Sequence, residues 1–211
     1  MAVKNSNVAA GGISRHIERG SMAEAAARGA RFVNVSPLRG DFPPEARAEW
    51  IAPQPGTDTA MMLAMMHVLD RAGLADRRYL KTYCVGADRL IAYVRGEADG
   101  VPKTPGSASG ITGLDVEVIT ALSLAAAKGR TLITVSHSLQ RAEHGEQPVW
   151  AGIALAAMLG QIGLPGAGYN YALGFLGHTG RVPIDMPLPT LLQARTGSRH
   201  SFLARASPTY F

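Results

Sequence analysis

Apolar residues recur at helical spacing through Met61, Met62, Leu63, Met65, Met66, Val68 and Leu69 and stop at Gly73, which predicts a helix that Thr57 is placed to open as N-cap. The stretch SMAEAAAR, Ser21 to Arg28, has the same character and ends at Gly29; RFVNVS after it is β-branched and aromatic and predicts a short strand closing at Ser36 and Pro37. EWIAPQPG predicts a second short extended piece. Two amphipathic helices are predicted over Arg77 to Tyr83 and Asp88 to Arg95, followed by GEADGVPKTPGSASG, whose Gly, Pro and Ser content predicts a loop. DVEVITALSLAAAK, capped by Asp115 and closed by Gly129, predicts a helix, and RTLITV a buried strand. From Pro148 to Ile162 the chain is apolar on nearly every helical face, so that helix should be packed inside protein.

Strands alternating with helices imply an α/β fold with a parallel sheet, in three layers, with RFVNVS and TLITV as neighbouring or near-neighbouring strands. Ligands of such sheets bind beyond the carboxyl ends of the strands. Three polar turns fall at those ends or at the following helix starts: VSPLRG, QPGTD and SHSLQR. If they act together, Ser36, Asp58 and Arg141 should open onto one edge of the sheet.

Composition narrows the class. With 211 residues, 46% hydrophobic and 18% charged, the chain can bury one sizeable core. Its one cysteine, Cys84, excludes an internal disulfide framework and a metal cluster held by several cysteines of this chain, and fits a reducing, cytoplasmic setting. No apolar run reaches the ~18 residues that span a bilayer, and the first residues have no apolar core of the signal-peptide kind. The net charge of +5 comes from the ends: residues 1–40 hold six Lys and Arg against two acids, and residues 178–211 hold four against one. Lys and Arg are not interleaved with aromatics, so nucleic acid is not an expected partner, and without a spanning apolar run neither is a membrane.

The stretch SLQRAEHGEQPVW, Ser138 to Trp150, crowds polar side chains between two apolar segments. Released from a buried strand, Ser136, His137, Ser138, Gln140 and Arg141 would put hydroxyl, imidazole, amide and guanidinium groups on the rim where a polyphosphate or a base edge could sit. The alternative is that these groups satisfy the loop itself, with Arg141 paired to Glu143 or Glu146. Asp58 has a similar choice, between favouring the positive end of its helix and accepting the amino group of a guanine.

SLQRAEHGEQPVW, continued by LAAMLGQIGLPGAG, resembles the middle segment of the molybdenum-dependent S- and N-oxide reductases, the dimethyl sulfoxide, trimethylamine N-oxide and biotin sulfoxide reductases. The resemblance runs back through ASGITG, YCVGADRLIAYVRGEADGVPKTP and PGTDTAMMLAMMHVL to Lys4 and Asn5, and so covers residues 4 to about 190. It implies a bis(molybdopterin guanine dinucleotide) molybdenum cofactor held between several domains, of which this chain resembles the Rossmann-like third. On that resemblance Lys4 and Asn5 match a turn at the pterin pyrophosphate, Ser36 and Pro37 a strand-end turn near a nucleotide, Gly56, Thr57 and Asp58 a guanosine-binding turn, and His137, Gln140 and Arg141 the rim beside the cofactor. His137 departs from the pattern, standing where the reductases have a tryptophan before Ser-Leu-Gln-Arg.

The resemblance implies oxygen-atom transfer from an S- or N-oxide substrate, with partners among the parent enzyme's other domains and a periplasmic location open to the parent. The domain expectation is a cofactor-binding domain over residues 1–177, incomplete at its N-terminus, and an irregular, truncated tail over 178–211. The metal's protein ligand, a serine in these reductases, belongs to an earlier domain, so residues 1–211 alone are expected to be inactive. Exposed apolar surface on the Met61 to Leu69 helix or on GLPGAGYNYALGFLG would then favour association. A second reading is a free-standing, non-catalytic cofactor-binding domain or inactive remnant.

Overall fold

The computed structural model describes residues 15–171 of the chain. Lys4, Asn5, the expected boundary at 177 and the tail beyond it lie outside those residues. The described elements run α1 (Arg15–Ala27), β1 (Val33–Val35), β2 (Glu49–Ile51), α2 (Asp58–Arg71), α3 (Arg77–Tyr83), α4 (Ala87–Arg95), α5 (Pro105–Thr112), α6 (Val116–Ala127), β3 (Leu132–Val135), α7 (Glu146–Met158) and β4 (Gly168–Tyr171), with short 3-10 turns at Arg39–Asp41, Pro44–Ala46 and His137–Arg141.

The fold is α/β with parallel strands, as expected, but its pairing differs from the expected neighbour relation. β1 pairs with β2, Val35 opposite Ile51, and β3 pairs with β4, Val135 opposite Tyr171; RFVNVS and TLITV are not hydrogen-bonded to each other. The partner of β1 is the extended piece expected in EWIAPQPG, whereas the partner of β3 is one that the sequence disguises. β4 lies in GLPGAGYNY, where no strand was expected, because the glycines before it mask four extended residues.

α2 is the centre of the core, packing against α5, α6 and α7. Met61, Met62, Met65, Met66 and Leu69 are all buried, so of the two places where exposed apolar surface was expected this helix is not one; in the described part of the other, Leu164 is exposed. Side chains of this size each contribute about 1.5–3 kcal/mol when fully buried, and unbranched methionine adapts to a site where three helices meet. The far end of α2 is fixed by Asp70, whose carboxylate is buried and receives Arg77 from α3 and Arg95 Nε from α4, the latter at 2.7 Å. That carboxylate also raises the Arg95 pKa, by hydrogen bonding first and charge second.

Helix α5 occupies part of the expected loop. Its start is written in the sequence: Thr104 accepts a hydrogen bond from Ser107 N at 3.1 Å, and Pro105 takes the first helical position, where a missing N–H costs nothing. At two other helix starts the residue is the expected one but its side chain is not the cap. Asp115 makes no capping bond to α6, and Thr57 Oγ1 donates backwards to Gln54 O at 2.6 Å instead of accepting from α2.

Helix α7 lies on β3 and β4 and buries Ala151, Gly152, Leu155, Ala156 and Met158. It is not enclosed on nearly every face: Trp150 is 62% exposed and Ile153 41%, so the apolar run covers one more face than the core uses. Gly152 sets how closely α7 approaches the sheet. A Cβ there would stand 2.7 Å from Val135 Cγ2 and 2.8 Å from Tyr169 Cε2. Beyond α7, Gln161 accepts from Thr131 N at 2.6 Å and donates to Gly129 O at 2.8 Å, tying the start of β3 to the approach to β4. No single described helix is long and apolar enough to cross a membrane.

Candidate functional site

Because β1 and β2 are parallel, the chain leaves both at the same edge. At the end of β1, Ser36 N donates to Ile51 O at 3.1 Å, Ser36 O accepts from Trp50 Nε1 at 2.9 Å, and Ser36 Oγ donates to Asp41 and accepts from Leu38 N at 3.2 Å. The Ser36 hydroxyl is therefore used in shaping its own turn, and Pro37 is the exposed member of the pair. Behind them Asn34, absent from the residues expected at the site, is buried with Nδ2 donating to Leu38 O at 3.5 Å and Oδ1 without a partner. A polar residue inside an otherwise apolar strand was the signal that could have found it.

Beyond β2 the turn of Gln54 to Asp58 is anchored on α5, where Gln54 N donates to Thr112 O at 2.8 Å. Gly56 takes a φ of +79°, which a side chain would strain, and nothing lies within 4 Å of where its Cβ would be. A planar ring or a ribose can therefore approach the backbone here. Asp58, in the first turn of α2, is buried and already engaged within the protein.

The second edge belongs to β3 and β4. Ser136 ends β3 by accepting from Ser138 N at 3.2 Å, which starts the 3-10 turn carrying His137, Gln140 and Arg141. The His137 ring meets the edge of Tyr171, the last residue of β4, with centroids 4.4 Å apart. Gln140 and Arg141 are exposed, and among the described residues neither Glu143 nor Glu146 pairs with Arg141. Glu143 lies instead 4.0 Å from His144 Nε2, and Glu146 Oε1 accepts from Gln147 at 3.5 Å. Between them the backbone is tight: His144 takes a φ of +54°, unusual for a side-chain-bearing residue, and Gly145 is buried against the Gln140 peptide.

The structure thus brings Ser36, Pro37, Gly56, Thr57 and Asp58 to the carboxyl edge of one parallel pair, and His137, Gln140 and Arg141 to the carboxyl edge of the other, so Ser36, Asp58 and Arg141 do not share the edge of one hydrogen-bonded sheet as expected. Deeper in the second pair, the Tyr169 hydroxyl is buried without a partner, and desolvation pushes its pKa up to about 12. A depression of about 400 Å³ lined by Ala26, Phe32, Arg31, Arg47 and Glu49 lies at the amino ends of β1 and β2, away from every residue singled out above. Among the described residues no three His, Cys, Asp or Glu side chains gather as a bound metal ion would require.

These turns belong to a chain with clear relatives. The family model described as molybdopterin oxidoreductase matches residues 15–201. Biotin sulfoxide reductase of Cereibacter sphaeroides is 44% identical over 180 residues, 85% of this chain and 24% of that protein. Dimethyl sulfoxide/trimethylamine N-oxide reductase of the same organism is 40% identical over 70% of the chain and 18% of its own length, and trimethylamine-N-oxide reductase of Vibrio cholerae is 40% identical over 69% and 18%. The chain therefore spans a quarter or less of these relatives. Among solved structures, acetylene hydratase from Pelobacter acetylenicus superposes on 72% of the chain and 20% of its own with a TM-score of 0.61 at 21% identity, a likeness of fold.

Proposed function

The chain belongs to the molybdopterin oxidoreductase family, and on that premise we propose that it supplies the part of an S- or N-oxide reductase that grips the guanine dinucleotide form of the cofactor. The residues present suit such a group. Gly56 offers open backbone for a ribose or base, and the exposed Gln140 and Arg141 a donor pair for pyrophosphate. His137, standing where the resemblance has a tryptophan, contributes a smaller ring already steadied by its T-shaped contact with Tyr171.

The observation that carries the reading is Arg141. A loop containing Glu143 and Glu146 could neutralise it, yet among the described residues it keeps its guanidinium exposed and unpaired at the carboxyl edge of a parallel strand pair. That is the arrangement expected of a cation reserved for an anionic ligand. Carbonyl- and carboxylate-rich surroundings would have argued for a structural ion pair.

When bound, the cofactor supplies two-electron oxygen-atom transfer, the chemistry carried in the relatives' names as reduction of biotin sulfoxide, dimethyl sulfoxide or trimethylamine N-oxide. This chain's residues bind and orient: Arg141 offsets phosphate charge, and the Gly56 turn fixes the nucleoside end. The test is to express the chain in a host that makes the cofactor, release bound nucleotide with acid and identify it by mass. Guanine nucleotide lost on Arg141→Gln supports the proposal. Cofactor retained without guanine nucleotide, or equal retention by the variant, refutes it.

A further inference from the structure

Gly145 is buried between the 3-10 turn and α7, and its role in the proposed site differs from that of the glycines in the other turns. Its φ is ordinary, so it is not needed for a left-handed conformation. What it lacks is a side chain: a Cβ at this position would lie 2.5 Å from the Gln140 carbonyl carbon and 2.7 Å from Gln140 Cα, closer still to the carbonyl oxygen. The obstacle is backbone, which cannot rotate away as the tip of a long side chain can. Two further bonds close the same loop around it, Gly145 N to Ala142 O at 3.0 Å and Gln147 N to His144 O at 2.9 Å. His144, at a φ of +54°, completes the reversal.

We propose that Gly145 is a positioning residue for Arg141: its bare Cα lets the Gln140 peptide seat against the start of α7, and that seating fixes where Arg141 leaves the loop to meet a phosphate-bearing ligand. The inference rests on the guanine dinucleotide reading above and goes beyond it, since Gly145 itself offers no group to the ligand. A free loop carrying an arginine would also bind phosphate, but it would have to be ordered on each binding event; a loop held by backbone contact has already been ordered during folding.

The experiment compares GDP with guanosine as probes, by titration calorimetry on the 211-residue chain. Gly145→Ala and Arg141→Gln should each weaken GDP by about tenfold to a hundredfold, the worth of one charge-assisted hydrogen bond, and leave guanosine unchanged. The double variant should be no weaker than Arg141→Gln alone, because Gly145 acts through that residue. Trypsin should also cut after Arg141 faster in Gly145→Ala than in the original chain. His144→Val, whose β-branched side chain disfavours a φ of +54°, strains the same reversal without a clash at the Gln140 peptide and should weaken GDP by about two- to fivefold; it serves where Gly145→Ala does not fold. Gly152→Ala strains α7 about two turns further along, against β3 and β4 and away from the Gln140 peptide, and should leave the ratio of GDP to guanosine affinity unchanged.

Several results overturn the proposal: GDP affinity of Gly145→Ala equal to the original, equal losses for GDP and guanosine, additive losses in the double variant, or His144→Val without effect. Failure of the unaltered chain to bind GDP overturns the guanine dinucleotide reading and this inference with it. GDP binding that is lost in Arg141→Gln but kept in Gly145→Ala overturns this inference alone.

Discussion

Replacing Gly152 by alanine should destabilise the chain although alanine is the better helix former. The added methyl would lie 2.7 Å from Val135 Cγ2 and 2.8 Å from Tyr169 Cε2, about 1 Å inside the 3.5–4.0 Å at which carbon atoms attract. Both neighbours are held: Val135 is buried in β3, and Tyr169 sits in β4 opposite Ile133. Forcing a methyl into such a place costs ~1–3 kcal/mol, and the intrinsic preference of a helix for alanine over glycine returns ~0.8–1.0 kcal/mol. With two held groups in the way the cost falls in the upper half of that range, so the net expectation is a loss of about 1–2 kcal/mol, which for a chain of this size lowers Tm by roughly 2–8 °C. Thermal melts followed by circular dichroism would measure it. A second variant carrying both Val135→Ala and Gly152→Ala removes one of the two obstacles, so the pair should show a favourable coupling of about 1 kcal/mol. A Tm for Gly152→Ala equal to or above the original would refute the claim that α7 approaches β3 and β4 through this glycine.

Further outcomes follow from other contacts. Asp70→Asn removes the buried carboxylate shared by Arg77 and Arg95, and because both arginines can rehydrate, the loss in urea unfolding should be about 1–3 kcal/mol. Tyr169→Phe deletes a buried hydroxyl that has no partner and should leave stability equal or slightly raised. The same hydroxyl sets a pH dependence: its pKa in the folded chain is about 12, above the unfolded value of ~10, so the unfolded chain loses its proton first and stability should fall as pH rises from 10 towards 12, with a shallower fall in Tyr169→Phe. Gly160→Ala would place a Cβ 2.7 Å from Asp76 Cβ at a φ of +67° and should disrupt the cap by which Asp76 accepts from Tyr79 N, seen as a lower Tm. A polypeptide of these 211 residues, a quarter or less of its relatives' length, should not reduce biotin sulfoxide or dimethyl sulfoxide with a reduced viologen donor; turnover above free cofactor would make it a sufficient catalyst.

What the sequence makes legible is what local chemistry decides. The α2 helix follows from the spacing of its methionines, and β1, β2 and β3 from short β-branched runs ending in polar turns, which is why the turns carrying Ser36, Asp58 and Arg141 stand out from the letters alone. α5 is legible too, in Thr104 and Pro105, but the Gly and Ser that follow obscure it. β4 is hidden for a different reason: GYNY acquires its extended form by pairing with β3, and isolated residues do not announce a distant partner. Nor can the sequence assign its glycines. Gly145 and Gly152 matter because of backbone and side chains brought against them by the tertiary fold, whereas Gly56 matters because nothing is. The exposed Trp150 and the use of the Ser36 hydroxyl inside its own turn are likewise outcomes of packing, invisible to a pattern of apolar and polar letters.

The most direct test of the central claim is to map GDP on the isotope-labelled 211-residue chain by backbone amide chemical shifts. A guanine dinucleotide grip predicts saturable shifts at two places together, the Gly56 to Asp58 turn and the His137 to Arg141 turn, with the second group lost in Arg141→Gln. Saturable shifts confined to the depression around Arg31 and Arg47, or none at either turn, would contradict it.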